Sequence, residues 1–197
     1  MKKYLLFFVL LCTCTLLQAQ PCYNSFKIKR AFQATPVWCW AASLQMIVNF
    51  HHPFENISQC DIVKDCFGID DCSEAALSGG YMSSMKRFLE TNDLGVTFTC
   101  DYSRYPLSVE EIAENILSCK PIIVEIRTSP FSSMTHAVVI MGIWTNRDYY
   151  GNMVTTVVLR DPYPYNWNSL MTAGFNGISY NQLRNIWVSS LSNIEPD

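Results

Sequence analysis

The sequence predicts an α+β fold in two lobes, because helix patterns come first along the chain and strand patterns follow. Capping residues, terminating residues and apolar side chains at helical spacing predict helices over 39–51, 58–68, 81–91 and 108–119. Runs rich in β-branched and apolar residues predict antiparallel strands over 121–128, 137–144, 152–160 and 187–189. A groove between two such lobes is where we expect a ligand site.

Each predicted helix has recognisable features. The first begins around Cys39, continues through good helix formers and ends before Pro53. Ser58 caps the second helix, and a glycine stops it. The third helix carries apolar residues three or four positions apart, which are Met82, Met85, Phe88 and Leu89. Ser108 and Glu111 form a capping box that starts the fourth helix.

The predicted strands differ in pattern. Residues 121–128 alternate and are β-branched, whereas residues 137–144 are almost all apolar. The strand over 152–160 follows a turn-like segment at 146–151, which indicates a hairpin with the preceding strand. In such a hairpin the start of one strand and the end of the other come together.

The composition is that of one ordinary globular domain. The 197 residues are 49% hydrophobic and only 16% charged, which excludes an intrinsically disordered chain. The length is too short for two full-size domains. A net charge of -3 argues against a nucleic acid partner, because nucleic-acid binders usually carry a clustered basic surplus.

Residues 1–19 have the pattern of a secretory signal peptide. Two lysines precede an uncharged, mainly apolar run over 4–17, which is too short to span a membrane, and Ala19 is the small residue before the expected cleavage. We therefore expect one domain at 20–197, exported to the periplasm or the extracellular space. We expect no stable membrane association after cleavage, because no later apolar run reaches about 18 residues.

Cysteine usage gives the first indication of function. The chain has nine cysteines, and removal of the signal peptide leaves seven, an odd number. Cys39 is expected to stay reduced, because unpaired N–H groups and the helix dipole favour a thiolate in the first turn of a helix. The thiolate is the nucleophile of thiol catalysis. The other six are expected to form three disulfides of open connectivity: Cys22, Cys60, Cys66, Cys72, Cys100 and Cys119.

A thiolate nucleophile needs a histidine to pair with it and to protonate the leaving group. The chain has three histidines. His51 and His52 lie at the far end of the helix that begins at Cys39, which places them about 18 Å from the thiol. His136 precedes an apolar strand and is therefore the only usable base.

Asp161 is the residue expected to orient the imidazole of His136. It directly follows the second strand of the predicted hairpin, so its carboxylate comes close to the start of the first strand. The long interval between His136 and Asp161 leaves Asn146 and Asn166 as alternatives for this role.

Gln33 completes the predicted site. It lies six residues before Cys39, on the loop that enters the helix. A side-chain amide in this place can donate to the oxyanion that develops on an attacked carbonyl, together with the backbone N–H of Cys39. This chemistry needs neither a metal ion nor an organic cofactor.

The combination of these motifs resembles the papain-like cysteine proteases, and in particular a bacterial branch of secreted and effector proteases with a W-C-W-A-A nucleophile helix. The resemblance is carried by Gln33, Trp38-Cys39-Trp40-Ala41-Ala42-Ser43, His136-Ala137-Val138-Val139 and Asp161-Pro162. It implies a two-lobe papain-like fold, with a helical lobe that carries the nucleophile and a C-terminal antiparallel β-sheet lobe. It also implies a nucleophile at Cys39, a general base and acid at His136, an orienting group at Asp161 and an oxyanion donor at Gln33. We expect a monomer whose partner is a peptide or protein substrate.

Other functions stay open. The same residues could perform a different acyl transfer, as an amidase, a transpeptidase or a peptidoglycan hydrolase, or the chain could be a disulfide-stapled binding module without activity. Asp71-Cys72-Ser73 resembles the start of the nucleophile helix in NlpC-type cell-wall peptidases, but Glu74 stands where that family has glycine. Cys60, Cys66 and Cys72 are six residues apart, wider than the usual spacing of paired zinc ligands, so disulfides are the preferred interpretation.

Overall fold

Helices dominate the first half of the described chain. The computed structural model of the protein describes residues 27–128, 133–163 and 176–197. Its helices are α1 (Cys39–His51), α2 (Gln59–Phe67), α3 (Met82–Thr91), α4 (Val109–Leu117) and α5 (Tyr180–Ile186). A short 3₁₀ turn, Cys72–Ala75, lies between α2 and α3. The four helices that the sequence predicts are confirmed, each with boundaries within two residues of the expected ones.

Local capping explains this agreement. Ser58 accepts a hydrogen bond from the backbone N–H of Asp61, and the Asp61 carboxylate accepts one from the backbone N–H of Ser58. Gly68 ends α2 with φ of 63°, a left-handed conformation that favours glycine. Ser108 and Glu111 form the expected capping box of α4. These signals lie within a few residues of the helix ends that they set.

In the described residues, six strands form one antiparallel sheet. They are β1 (Phe98–Ser103), β2 (Ile122–Arg127), β3 (Thr135–Arg147), β4 (Met153–Arg160), β5 (Asn176–Ser179) and β6 (Trp187–Pro196). Their order across the sheet is β1-β6-β2-β3-β4-β5, and all neighbours are antiparallel. Helices plus an antiparallel sheet confirm the α+β fold class.

Two strands are longer than the sequence predicts. The apolar run over 137–144 forms the centre of β3, which pairs with β4 as far as Arg147 opposite Met153. The sequence predicts β6 only over 187–189, yet it continues to Pro196, because it lies between β1 and β2 and pairs with both. The strands β1 and β5 and the helix α5 are not predicted from the sequence.

α1 is buried and packs against β3. Its apolar side chains Ala41, Leu44 and Ile47 have no exposed surface. The hydroxyl of Ser43 donates a buried hydrogen bond of 3.2 Å to the carbonyl oxygen of Ala137. This contact joins the first turns of α1 to the start of β3 and so places the N-terminus of α1 against that strand.

The expected disulfide pattern is confirmed only in part. Cys60 and Cys72 form a disulfide that joins α2 to the 3₁₀ turn. Cys119 is also disulfide-bonded. The expectation of three disulfides is wrong, because Cys66 in α2 and Cys100 in β1 are free. Both are buried, and burial raises the pKa of these thiols to about 12 and about 11 respectively, so they stay protonated.

Some predictions concern residues outside the described ranges. The predicted signal peptide at 1–19, Cys22 and Asn166 all lie there and stay predictions. Within the described ranges, no helix has both the length and the apolar character needed to cross a membrane.

Candidate active site

Cys39 is the first residue of α1 and lines a cleft of about 810 Å³ between the helices and the sheet. Its Sγ accepts a hydrogen bond of 3.5 Å from the backbone N–H of Ala137 in β3. No described side chain caps α1, so the backbone N–H groups of its first turn keep hydrogen-bonding capacity near the thiol. The Cys39 sulfur therefore lies at a helix N-terminus and has a backbone N–H donor from the facing strand.

His136 in β3 connects the thiol to Asp161. Its Nε2 lies 2.7 Å from Oδ1 of Asp161, and the two residues are only 6% and 5% exposed. The imidazole also hydrogen-bonds to the Cys39 side chain, which leaves Nδ1 as the ring nitrogen on that side. Burial lowers the pKa of His136, but the contacts with Asp161 and Cys39 together outweigh it and raise the pKa to about 9. His136 is therefore an imidazolium at neutral pH.

The turn after β4 fixes the Asp161 carboxylate. Its Oδ1 also accepts a hydrogen bond of 2.8 Å from the backbone N–H of Tyr163. The Arg30 guanidinium donates to the backbone carbonyl oxygens of Asp161 and Tyr163, at 2.7 and 2.6 Å. Sequence reasoning missed Arg30, because 131 residues separate it from the turn that it holds.

Asn146, the other described candidate for the orienting role, lies far from His136. It is exposed and pairs with Val154 near the opposite end of β3. Ten strand residues separate it from His136, a distance of about 33 Å. Among the described candidates for this role, Asp161 is the one in contact with His136.

Gln33 lies beside the same turn, but its amide nitrogen does not donate to the site. The backbone N–H of Gln33 donates to the carbonyl oxygen of Pro162 at 2.9 Å, next to Asp161. Its Nε2 donates to the carbonyl oxygen of Thr35 at 2.9 Å, and its buried Oε1 has no hydrogen-bond partner in the described residues. The structure thus brings Cys39, His136 and Asp161 together, whereas the role of Gln33 stays a prediction.

The walls of the cleft include residues that sequence reasoning did not identify. Gly79 and Gly80 line its helical side, and Glu125 and Tyr163 line its sheet side. Gly80 lies so close to the Trp40 ring that a Cβ at this position would be 2.3 Å from Cδ2 of the indole. The adjacent pair of glycines is the sequence signal that could have indicated this close approach.

The metal and NlpC-type interpretations find no support in the described residues. These residues contain no group of three His, Cys, Asp or Glu side chains that could hold a metal ion. Cys60 and Cys72 are bonded to each other and are not available as thiolate ligands. The same bond makes the NlpC-type alternative wrong, because a disulfide sulfur at Cys72 is not a thiolate nucleophile.

The family follows from a comparison with known protein families. The model of the Peptidase_C39 like family matches residues 25–188, most of the chain. The chain belongs to this family. A comparison of this C39-like chain with curated proteins finds no match.

A solved cysteine protease structure has a similar fold. The proform of Amb a 11, a cysteine protease and major ragweed pollen allergen, superposes on this C39-like chain with a TM-score of 0.52 and 13% identity. The match covers 86% of this chain and 62% of the allergen chain, so this chain spans less than two thirds of that structure. SERA5E from Plasmodium falciparum matches with a TM-score of 0.46 and 11% identity, over 91% of this chain and 94% of that one. The likeness to the allergen confirms the expected papain-like fold.

Proposed function

We propose that this protein is a papain-like cysteine peptidase that hydrolyses peptide bonds. The observation that carries the proposal is the chain of contacts from Cys39 through His136 to Asp161, at the edge of a cleft of about 810 Å³. Membership of the Peptidase_C39 like family supports it. A cleft of this volume has room for several side chains of an extended peptide.

The proposed reaction begins from an ion pair, in which His136 is already the imidazolium and Cys39 is the thiolate. The thiolate attacks the peptide carbonyl, and the electron pair of the carbonyl bond moves onto its oxygen. When this intermediate collapses, the C–N bond breaks, His136 gives its proton to the leaving amine, and a thioester to Cys39 remains. His136 then takes a proton from a water molecule whose oxygen attacks the thioester. Collapse of this second intermediate breaks the C–S bond, releases the carboxylic acid and restores the thiolate and the imidazolium.

Asp161 acts through His136 in this reaction. Its Oδ1 accepts the Nε2–H of the imidazolium at 2.7 Å, which keeps the other ring nitrogen directed at Cys39. The negative charge also stabilises the imidazolium in a site that is otherwise buried.

The proposed oxyanion hole combines the backbone N–H of Cys39 with the side-chain amide of Gln33. The Cys39 N–H belongs to the first turn of α1, where intrahelical acceptors are absent. Gln33 joins it when its Nε2 exchanges the Thr35 carbonyl oxygen for the substrate oxygen. Loss of one such donor typically lowers turnover about 10²- to 10³-fold, and Gln33→Ala is expected to do so.

The central test combines hydrolysis with thiol labelling. Cys39→Ala and His136→Ala should abolish peptide hydrolysis, whereas Cys66→Ala, which changes a free but buried thiol, is the matched control that retains it. A papain-type epoxide inhibitor should label one thiol, Cys39, in the folded protein, as located by mass spectrometry. Hydrolysis that survives both active-site substitutions, or labelling at Cys100 instead, would make the proposal wrong.

Digests of peptidoglycan and of protein, together with the thiol labelling, separate the alternative functions. A digest of peptidoglycan in which cross-links are cleaved, with no cleavage of protein substrates, would favour a cell-wall hydrolase over a protein peptidase. An unreactive Cys39 in the folded protein would favour a binding module without activity.

We also propose export, with residues 1–19 removed as a signal peptide and 20–197 as a monomeric peptidase of the branch with a W-C-W-A-A nucleophile helix. The disulfide between Cys60 and Cys72 supports an oxidising compartment. Mass spectrometry of the protein recovered from outside the cytoplasm should find Gln20 at the N-terminus. Recovery of the full chain in the cytoplasm would contradict export, and light scattering of the purified protein tests the monomer.

A further inference from the structure

One carboxylate lies in the wall of the cleft, apart from the residues that the proposed reaction uses. Glu125 in β2 is the only acidic residue among the described residues that line the cleft. The same cleft is also lined by apolar side chains, among them Met82 and Met85 of α3 and Ala137 of β3. A single carboxylate in such a wall gives the cleft one strongly preferred place for positive charge.

The Glu125 carboxylate is held in a fixed position. The hydroxyl of Ser189 in β6 donates to its Oε2 at 2.7 Å, and Ser189 is only 3% exposed. β2 lies between β3 and β6, with Glu125 opposite Ala137 on one side and Ser189 on the other. Its Oε1 has neither a hydrogen-bond partner nor a cation in the described residues, so it can accept from a ligand.

The position of Glu125 relative to the thiol limits which part of a substrate it can reach. Ala137, directly opposite Glu125, donates its backbone N–H to the Cys39 Sγ at 3.5 Å. Paired residues of antiparallel strands have Cα atoms about 5 Å apart. An extended peptide advances about 3.3 Å per residue, so Glu125 lies within reach of side chains one or two residues from the bond under attack.

We propose that Glu125 makes the enzyme selective for peptides that carry a lysine or arginine side chain one or two residues from the scissile bond. This inference rests on the proposed peptidase function and names its substrate class. The aliphatic stem of such a side chain would pack on Met82 and Met85, and its cationic end would pair with the free oxygen of the carboxylate. The pair forms in a partly buried wall, where charge attraction is stronger than in open water.

The test uses pairs of fluorogenic peptides that differ at one position, with arginine in one and norleucine in the other. Norleucine keeps an unbranched aliphatic stem and removes the charge. The substitution is scanned over three residues on each side of the cleaved bond. At one position, kcat/KM for the arginine peptide should exceed that for the norleucine peptide by about 10-fold or more. Glu125→Gln should bring this ratio close to one, and Glu125→Arg should make glutamate the preferred residue.

Two further variants make the result specific to this carboxylate. Glu114→Gln makes the same chemical change at an exposed position of α4 that does not line the cleft, and it should keep the wild-type ratio. Ser189→Ala leaves the carboxylate but removes its fixed donor, so the ratio should fall by less than in Glu125→Gln. Ser189→Ala also provides an answer if the variants of Glu125 do not fold.

The possible failures are distinguishable. Peptide hydrolysis with the same arginine-to-norleucine ratio in the wild type and Glu125→Gln overturns this inference and leaves the proposed function intact. If the wild type cleaves no peptide, the proposed function fails, and binding decides the role of Glu125. Calorimetry with Cys39→Ala should then show tighter binding of the arginine peptide only while Glu125 is present, and equal binding of both peptides overturns the inference.

Discussion

Replacement of Asp161 tests how the site sets the charge of His136. Oδ1 of Asp161 accepts both the imidazole N–H, at 2.7 Å, and the backbone N–H of Tyr163, at 2.8 Å. Asp161→Asn can keep both hydrogen bonds, because the amide oxygen can occupy the same position, but it removes the negative charge. Asp161→Ala removes the bonds as well and leaves a buried imidazole N–H without its acceptor.

The pKa of His136 gives the expected pH dependence. Burial lowers this pKa, and the contacts with Asp161 and Cys39 raise it to about 9. Because the imidazolium protonates the leaving amine in the proposed reaction, wild-type activity should persist up to about pH 9 and disappear as the pH rises through that value. In Asp161→Ala the burial is opposed by the thiol alone, so the alkaline limit of activity should move towards the ordinary histidine value of 6.5. Asp161→Asn should lie between the two.

The expected loss of turnover is smaller than in a serine protease. There, the equivalent change from aspartate to asparagine lowers kcat about 10⁴-fold, because it stabilises the wrong imidazole tautomer. In this site the imidazole is already protonated at neutral pH, so both ring nitrogens carry protons and no tautomer has to be selected. Asp161→Asn should therefore lose well under 10⁴-fold when each enzyme is assayed at its own optimum pH.

The assay is kcat/KM for one peptide from pH 4 to pH 10, with the imidazole protonation followed by NMR in parallel. An alkaline limit that stays near pH 9 in Asp161→Ala would refute the reasoning, because it would show that the carboxylate does not hold the proton on His136. If Asp161→Ala lowers the pKa of His136 in the NMR titration but leaves the alkaline limit of kcat/KM unchanged, another group protonates the leaving amine.

Three further perturbations follow from the structure. Gly80→Ala puts a methyl group against the buried indole of Trp40 and should lower the free energy of unfolding, measured in urea, by about 1–3 kcal/mol. Gly79→Ala is the control and should cause no such loss, because a Cβ at that position has no heavy atom within 4 Å. Arg30→Met removes both hydrogen bonds to the turn after β4 and should lower kcat more than it changes KM, with partial rescue by Arg30→Lys. Burial, followed by the charge of His52, lowers the pKa of His51 to about 4, so the unfolded chain binds the proton more readily. Stability should therefore be full above pH 6.5 and fall towards pH 4, and His51→Gln should reduce this fall in thermal unfolding experiments.

Features that depend on neighbouring residues could be predicted from the sequence. The capping box of Ser108 and Glu111 acts within one helical turn, and it places the start of α4 correctly. Cys39, His136 and Asp161 could be selected because each lies at the start or end of a predicted element. The helix N-terminus suits a reactive thiol, and the hairpin brings the other two side chains close to each other. Glu125 could not be selected, because its place in the cleft depends on three strands at once.

Features that depend on distant pairing could not be predicted. β1 pairs only with β6 in the described sheet, and Phe98 at its start lies opposite Pro196 near the end of the chain. The outer part of β6 includes Asn193 with φ of 51°, which no strand pattern favours. That Cys66 and Cys100 are free could not be predicted either, because a cysteine count gives no distance between two sulfurs.

The register of the β3–β4 hairpin explains why a carboxylate 25 residues after His136 can reach it. Val139 pairs with Arg160, so the next position outward places Val138 opposite Asp161. His136 is two residues from Val138 on the same face of the strand, which makes it the diagonal neighbour of Asp161. Diagonal neighbours are within reach of long side chains, in agreement with the 2.7 Å contact.

A bulge in β3 makes this register possible. The register with β4 shifts between residues 140 and 142, so that Met141 has no partner of its own. Without the bulge, the register in which Gly142 pairs with Val158 would continue to the start of β3, and Asp161 would lie opposite Val139. His136 is three residues from Val139 and would then lie on the opposite face of the sheet from Asp161. The run of apolar residues over 137–144 gives no sign of this extra residue, so the contact between His136 and Asp161 depends on a backbone irregularity that the sequence pattern does not reveal.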